Sequence, residues 1–170
     1  MKIIARFLDR ARRSNARVVL PDGLDAAVLT AARRLLDERI ARPILLGTPA
    51  DVAEAAARAG LPLDGLQVID PAVSPQVEAY TAAYVRRRTV EENVARRLVR
   101  KPLVYGGMML AQGDADVLVG GALHATATVE NDSKATRGGS SSSRAAVASV
   151  ASAISANCSA VGWTFTAQSA

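Results

Sequence analysis

The chain has 170 residues, 49% hydrophobic and 22% charged, the composition of one globular domain with enough apolar surface to bury a sizeable core. Its formal charge of +5 is uneven: all 16 acids lie within residues 1–132, while residues 133–170 add Lys134, Arg137 and Arg144 and no acid. The domain proper is nearly balanced, and with aromatics at only 4% it lacks the basic face and interleaved rings of a nucleic-acid binder, so nucleic acid is excluded as a partner.

Residues 2–14 place Ile3, Ile4, Phe7, Leu8 and Ala11 at helical spacing with Arg6, Asp9, Arg10, Arg12 and Arg13 between them, which predicts an amphipathic helix. The early Ile3-Ile4-Ala5 run stops at Arg6, too short for a signal peptide or a membrane span, so no membrane is expected as a partner. Arg17–Leu20 is a β-branched run stopped by Pro21-Asp22-Gly23, and a helical pattern rich in Ala, Leu and Arg follows from Asp25 to Arg39.

A second strand, Ile44–Leu46, ends at Gly47. Thr48-Pro49-Ala50-Asp51 then supplies an N-cap, a first-turn proline and an acid, predicting a helix over 49–59 closed by Gly60. Leu66–Ile69 reads as the third strand, and Ser74-Pro75 as the capped start of a helix reaching Arg88. Thr89-Val90-Glu91-Glu92 has capping-box spacing, Lys101-Pro102 starts a further helix, and Val117–Val119 is the fourth strand.

Short apolar strands alternating with helices of ten to fifteen residues, about the usual helix length, predict an α/β fold: a mainly parallel sheet with helices on both faces. In such sheets ligands gather beyond the carboxyl ends of the strands, here the segments Pro21–Asp25, Gly47–Asp51, Asp70–Ser74 and Gly120–Thr128. Residues 133–170 hold ten Ser and ten Ala and sustain no period beyond an Ala-rich turn or two near Ala145–Ala156; they read as a low-complexity tail, with the only tryptophan, Trp163, in a strand-like end.

The loop Gly120-Gly121-Ala122-Leu123-His124-Ala125-Thr126-Ala127-Thr128 combines close backbone approach with one imidazole and hydroxyls, a set suited to holding phosphate oxygens; the plain alternative is a Gly-Gly turn with a surface His. His124 is the only histidine, which rules out a His-pair metal site, and the sequence offers no Ser-His-Asp set worth assembling around it. Asp114 and Asp116 read as a turn acid and a strand start rather than a metal pair, and no G-x-G-x-x-G follows any strand. Tyr84-Val85-Arg86-Arg87-Arg88 ends a helix, where cations suit the negative end of the helix dipole.

Tyr105-Gly106-Gly107-Met108-Met109, Asp114-Ala115-Asp116 and Gly121-Ala122-Leu123-His124-Ala125-Thr126-Ala127, preceded by Arg17-Val18-Val19-Leu20-Pro21-Asp22-Gly23 and Pro43-Ile44-Leu45-Leu46-Gly47, resemble in order and type the motifs of the phosphotransacetylase (phosphate acetyl/butyryltransferase) family. The resemblance covers residues 1–129 and implies the first α/β domain of that fold. It implies reversible acyl transfer between coenzyme A and inorganic phosphate, with acyl-CoA and phosphate as partners, coenzyme A as substrate and no metal or redox cofactor. It makes Gly120, Gly121, His124 and Thr126 the binding loop and assigns an arginine near the end of the fourth predicted helix to a coenzyme A phosphate: Arg88, with Arg87 as the alternative register. It also implies a homodimer.

The family's loop continues with an acid and a Leu/Ile-Arg sequence, whereas this chain has Thr128, Val129, Glu130 and Asn131. Residues 130–170 therefore read as a divergent tail, expected to be an out-of-frame product, with a genuine variant C-terminus as the alternative. Family members run to about twice this length, and the Ser, Arg and Asp they use in catalysis lie in the second half. The expectation for this chain alone is weak or no turnover, with a non-catalytic coenzyme A-binding or protein-interaction remnant as the alternative. The lone cysteine, Cys158, cannot form an intrachain disulfide and favours the cytoplasm.

Overall fold

Val18, Val19 and Leu20 are all buried, as a strand covered on both faces requires, and they form the middle of a five-stranded sheet. The computed structural model describes residues 2–120 and 146–149. Its strands are β1 (Arg17–Leu20), β2 (Arg42–Leu46), β3 (Gln67–Ile69), β4 (Val117–Gly120) and β5 (Ala146–Ser149), in the order β3-β2-β1-β4-β5. Every pairing is parallel, with Val19 opposite Ile44 on one side and Leu118 on the other.

Among the described residues six helices accompany them: α1 (Lys2–Ser14), α2 (Ala26–Asp37), α3 (Pro49–Ala59), α4 (Val77–Arg87), α5 (Glu92–Val99) and α6 (Pro102–Gln112). Strand alternation divides the core in two. Val18, Leu20 and Leu45 pack with Val28 and Leu29 of α2 and Val52 of α3. Val19, Ile44, Leu46 and Leu118 face the other way, against Val99 of α5 and Tyr105 and Met108 of α6. The expected α/β sheet with helices on both faces is therefore present. No helix among the described residues is long and apolar enough to cross a membrane.

Local chemistry explains most boundaries. Asp25 caps α2, its Oδ1 accepting from the backbone N–H of Ala27 at 2.9 Å and of Val28 at 3.0 Å. Thr48 Oγ1 does the same for Asp51 at 3.2 Å, with Pro49 in the first turn of α3. Pro43 is tolerated inside β2 because the Arg42 N–H is spent on Ala16 of the β1 side, so the next nitrogen faces β3, whose pairing begins only at Ile44.

Gly106 sets the distance between α6 and the sheet. A Cβ there would stand 2.8 Å from Leu118 Cδ1 and 3.0 Å from Val19 Cγ1, closer than packed atoms lie. At the amino edge of the sheet, Arg17 grips the Asp116 carboxylate with its guanidinium and donates its backbone N–H to Asp116 Oδ2 at 2.8 Å; its Nη2 also donates to the Gly113 carbonyl at 2.8 Å. Asp114 accepts from the Tyr80 hydroxyl at 2.5 Å. Both acids serve structure, as their sequence positions suggested.

Three expectations are corrected. The helix expected from a Thr89 capping box starts later: Glu91 is the N-cap of α5 and no side chain caps it, because the Val90 N–H turns back to the Arg88 carbonyl at 2.9 Å. Ser74 is not the N-cap of α4, which is Gln76; its hydroxyl accepts from the Gln76 N–H and also meets Tyr105. Ala146–Ser149, read as part of an Ala-rich turn, is a strand: the open edge of β4 supplies a backbone ladder that overrides weak local preference, pairing Val117 with Ala146 through Gly120 with Ser149.

Candidate functional site at the carboxyl edge of the sheet

The chain lays β2 and β3 to one side of β1 and then crosses to place β4 on the other, so the strand order reverses between β1 and β4. In an open parallel sheet the crevice outside the carboxyl ends at such a reversal is where ligands bind. Two exits flank it here: Pro21-Asp22-Gly23 after β1, and Gly120 at the end of β4.

These exits are packed on one another. A Cβ on Gly120 would lie 3.0 Å from Pro21 Cγ and 3.4 Å from Leu103 Cδ1, and one on Gly23 would lie 2.6 Å from the Leu46 carbonyl oxygen. The first glycine of the Gly-Gly-Ala-Leu-His loop is thus needed for the approach of two strand ends. Asp22 is buried beside it, at 4% exposure. Gly120 stands at the predicted edge; Gly121, His124 and Thr126 lie outside the described residues, as does Trp163.

The other two segments at this edge are stiffened by their own side chains. Thr48 caps α3, and Asp70 Oδ1 accepts from the Ala72 N–H at 2.8 Å. Ser74 Oγ lies 2.5 Å from the Tyr105 hydroxyl and accepts from the Gln76 N–H at 3.3 Å. Tyr105 is 1% exposed, and its ring meets Tyr80 at a centroid distance of 5.1 Å and a tilt of 58°. Burial pushes the Tyr80 hydroxyl above its ordinary range, and Asp114 pushes it further; burial also raises Tyr105, with the Ser74 bond pulling the other way.

Arg88 is the C-terminal cap of α4, with its N–H donating to the Tyr84 carbonyl at 3.0 Å. Its exposed side chain lines a shallow recess with Arg86, Arg87, Thr89 and Glu91. Residues that sequence reasoning passed over are Tyr105 and Ser74, read as a helix motif and a cap, and the exposed Leu24 and Val73 on the exits from β1 and β3. Nothing in a linear pattern marks two hydroxyls 31 positions apart as partners.

Comparison with known proteins agrees with this geometry. Residues 2–163 match the family described as phosphate acetyl/butaryl transferase, further than the motifs ending near Val129. The phosphate acetyltransferase of Nitratidesulfovibrio vulgaris is 36% identical over 124 residues, 71% of this chain and 18% of that protein. That of Corynebacterium glutamicum is 35% identical over 126 residues, again 71% of this chain and 38% of the relative. Among solved structures, the EutD phosphotransacetylase from Staphylococcus aureus aligns with a TM-score of 0.72 at 30% identity, over 81% of this chain and 44% of that one. A phosphotransacetylase from Streptococcus pyogenes gives 0.73 at 26% identity, over 77% and 40%. The chain spans less than half the length of each of these proteins. By its match over residues 2–163, nearly its whole length, the chain belongs to the phosphate acetyl/butyryl transferase family.

Proposed function

We propose that this chain contributes one wall of a phosphate acyltransferase site, in which an acyl group passes reversibly between coenzyme A and inorganic phosphate. The observation that carries this reading is the placement of Gly120, the first residue of the Gly-Gly-Ala-Leu-His-Ala-Thr loop, at the carboxyl end of β4 beside the reversal of strand order. On this reading Gly120, Gly121, His124 and Thr126 hold phosphate oxygens or the developing oxyanion through backbone N–H and hydroxyl groups, and Arg88 pairs with a phosphate of the coenzyme. The thiolate of coenzyme A attacks the acyl-phosphate carbonyl; the carbon–sulfur bond forms, the carbon–oxygen bond to phosphate breaks, and inorganic phosphate leaves. No redox equivalent is consumed, and coenzyme A is a substrate. The site's share is positioning and charge stabilisation.

The chain covers 18% and 38% of two relatives, which favours a second form of the same reading: coenzyme A is bound here and turnover needs more than this chain. Acetyl-phosphate formation from acetyl-CoA and phosphate, measured on the purified chain beside calorimetric binding of coenzyme A, tests both forms. Binding with weak or no turnover is the expected result. Full turnover would overturn the restricted form, and absence of binding would overturn the reading itself.

A further inference from the structure

Among the described helices α1 is the one without a buried side chain: Leu8 and Ala11 are half-buried, and every other residue from Ile4 to Ser14 is exposed. Its tie to the body is Arg12, whose Nε donates to the Glu38 carbonyl at 3.0 Å. Phe7 is 67% exposed and Ile4 44%, whereas the other described aromatic rings, Tyr80, Tyr84 and Tyr105, are all buried. The helix carries five cations and one acid, Asp9, which pairs with Arg12. Arg6, Arg10 and Arg13 recur at i, i+4 and i+7, a row along one side of the helix, and none of them has an ion pair among the described residues.

A ring left in water stabilises nothing, and a helix of this length is marginal without a surface to lie against. A protein covering Phe7 would take the neighbouring guanidinium groups out of water and would need an acid placed for each. A layer of anionic headgroups supplies that charge at every position, and long arginine stems keep the cations at the polar layer while the ring goes below it. We propose that α1 lies on an anionic lipid surface, with Phe7 and Ile4 inserted below the headgroups and the Arg6-Arg10-Arg13 row among the lipid phosphates. The segment is too short to cross a bilayer, as its sequence already shows, but lying along one asks for charge and an apolar edge rather than length. The proposal is independent of the coenzyme A reading: the last turn of α1 leads into the amino end of β1, the opposite end of the sheet from Gly120.

The test is co-sedimentation of the whole chain with vesicles of phosphatidylcholine and phosphatidylglycerol in equal parts, beside vesicles of phosphatidylcholine alone. Binding to the anionic vesicles is expected, weakening as salt is added and absent from the neutral ones. Arg10→Gln should weaken it about fivefold, the worth of one arginine near an anionic surface, and Phe7→Ser at least about tenfold, the scale of one large apolar side chain buried. Both substitutions alter exposed side chains, so the melting temperature and coenzyme A binding should not change. Equal binding to neutral vesicles, or binding unaffected by Phe7→Ser, overturns the proposal. A wild-type chain that leaves the anionic vesicles unbound overturns it too, and assigns the open face of α1 to a protein partner.

Discussion

Arg17 and Asp116, 99 positions apart, meet in a two-point contact: Nε to Oδ2 at 3.1 Å and Nη2 to Oδ1 at 3.0 Å. The side-chain bond from Arg17 holds the Asp116 carboxyl below its usual range. A carboxylate whose folded value is depressed stabilises the fold above its unfolded value, near pH 4, and that contribution is lost as the pH falls through the lower, folded value. Solvent screens this pair, since 47% of the Asp116 side chain is exposed, so Asp116→Asn should cost only about 1 kcal/mol at neutral pH. Urea unfolding of both proteins at neutral pH and at about pH 2 checks it: the gap should close in acid, and an equal gap at both ends would remove charge from the explanation.

Gly23 and Gly106 should tolerate alanine poorly, for different reasons. At Gly23 the new methyl meets a backbone carbonyl 2.6 Å away, which cannot move without shifting β2. At Gly106 the obstacles are the ends of Leu118 and Val19, and the helix gains back about 0.5–1 kcal/mol of propensity. Overpacking costs typically 1–3 kcal/mol, so both variants lose stability and Gly23→Ala loses more. Thermal melts rank them, and the reverse order would contradict the close approach at β1.

Thr81 carries the one buried side-chain oxygen without a partner among the described residues, at 1% exposure on α4. Thr81→Val keeps the shape and removes an unsatisfied hydroxyl, so a stabilisation of about 1 kcal/mol is expected. A lower midpoint in urea for the variant would mean that the hydroxyl is satisfied in solution.

Tyr80→Phe should cost about 1 kcal/mol by leaving Asp114 without its donor. The same buried position predicts that Tyr80 resists ionisation above the range of free tyrosine. Alkaline titration followed by phenolate absorbance should lose a late component in the Tyr80→Phe protein. Loss of an early component instead would place that hydroxyl in water.

Arg88 makes no ion pair among the described residues, and its side chain is exposed. Arg88→Gln should therefore leave the melting temperature unchanged and weaken coenzyme A binding about five- to tenfold, the range of one charge-assisted phosphate contact. A parallel Arg87→Gln variant decides the register: the larger loss of affinity identifies the phosphate partner.

The sheet was legible because its signals are local. Val18-Val19-Leu20, Ile44-Leu45-Leu46 and Val117-Leu118-Val119 are short apolar runs bounded by Pro or Gly, and parallel burial on two faces is the arrangement such runs permit. Caps with a side chain next to a proline, as at Thr48-Pro49, were equally readable. What escaped was tertiary. Ser74 has the same cap-plus-proline signature as Thr48, yet a tyrosine from α6 competes for its hydroxyl. Thr89 has capping-box spacing, yet a tight turn occupies it and the helix begins only after Glu91. Of the Gly-Gly-Ala-Leu-His loop, Gly120 was legible as a glycine at a strand end, while the contact that crowds it, Pro21, belongs to a strand exit far away in sequence.

The central position of β1 has a consequence for biosynthesis. Its pairing with β2 is available early, but its other hydrogen-bonding side stays empty until β4 has been translated, since Val18 and Val19 wait for Val117 and Leu118. Until then the nascent polypeptide displays an unpaired parallel strand flanked by aliphatic side chains, the condition under which ribosome-bound chains recruit holdases or stick to one another. Closure of the middle of the sheet, rather than formation of any helix, should set the pace at which this protein matures.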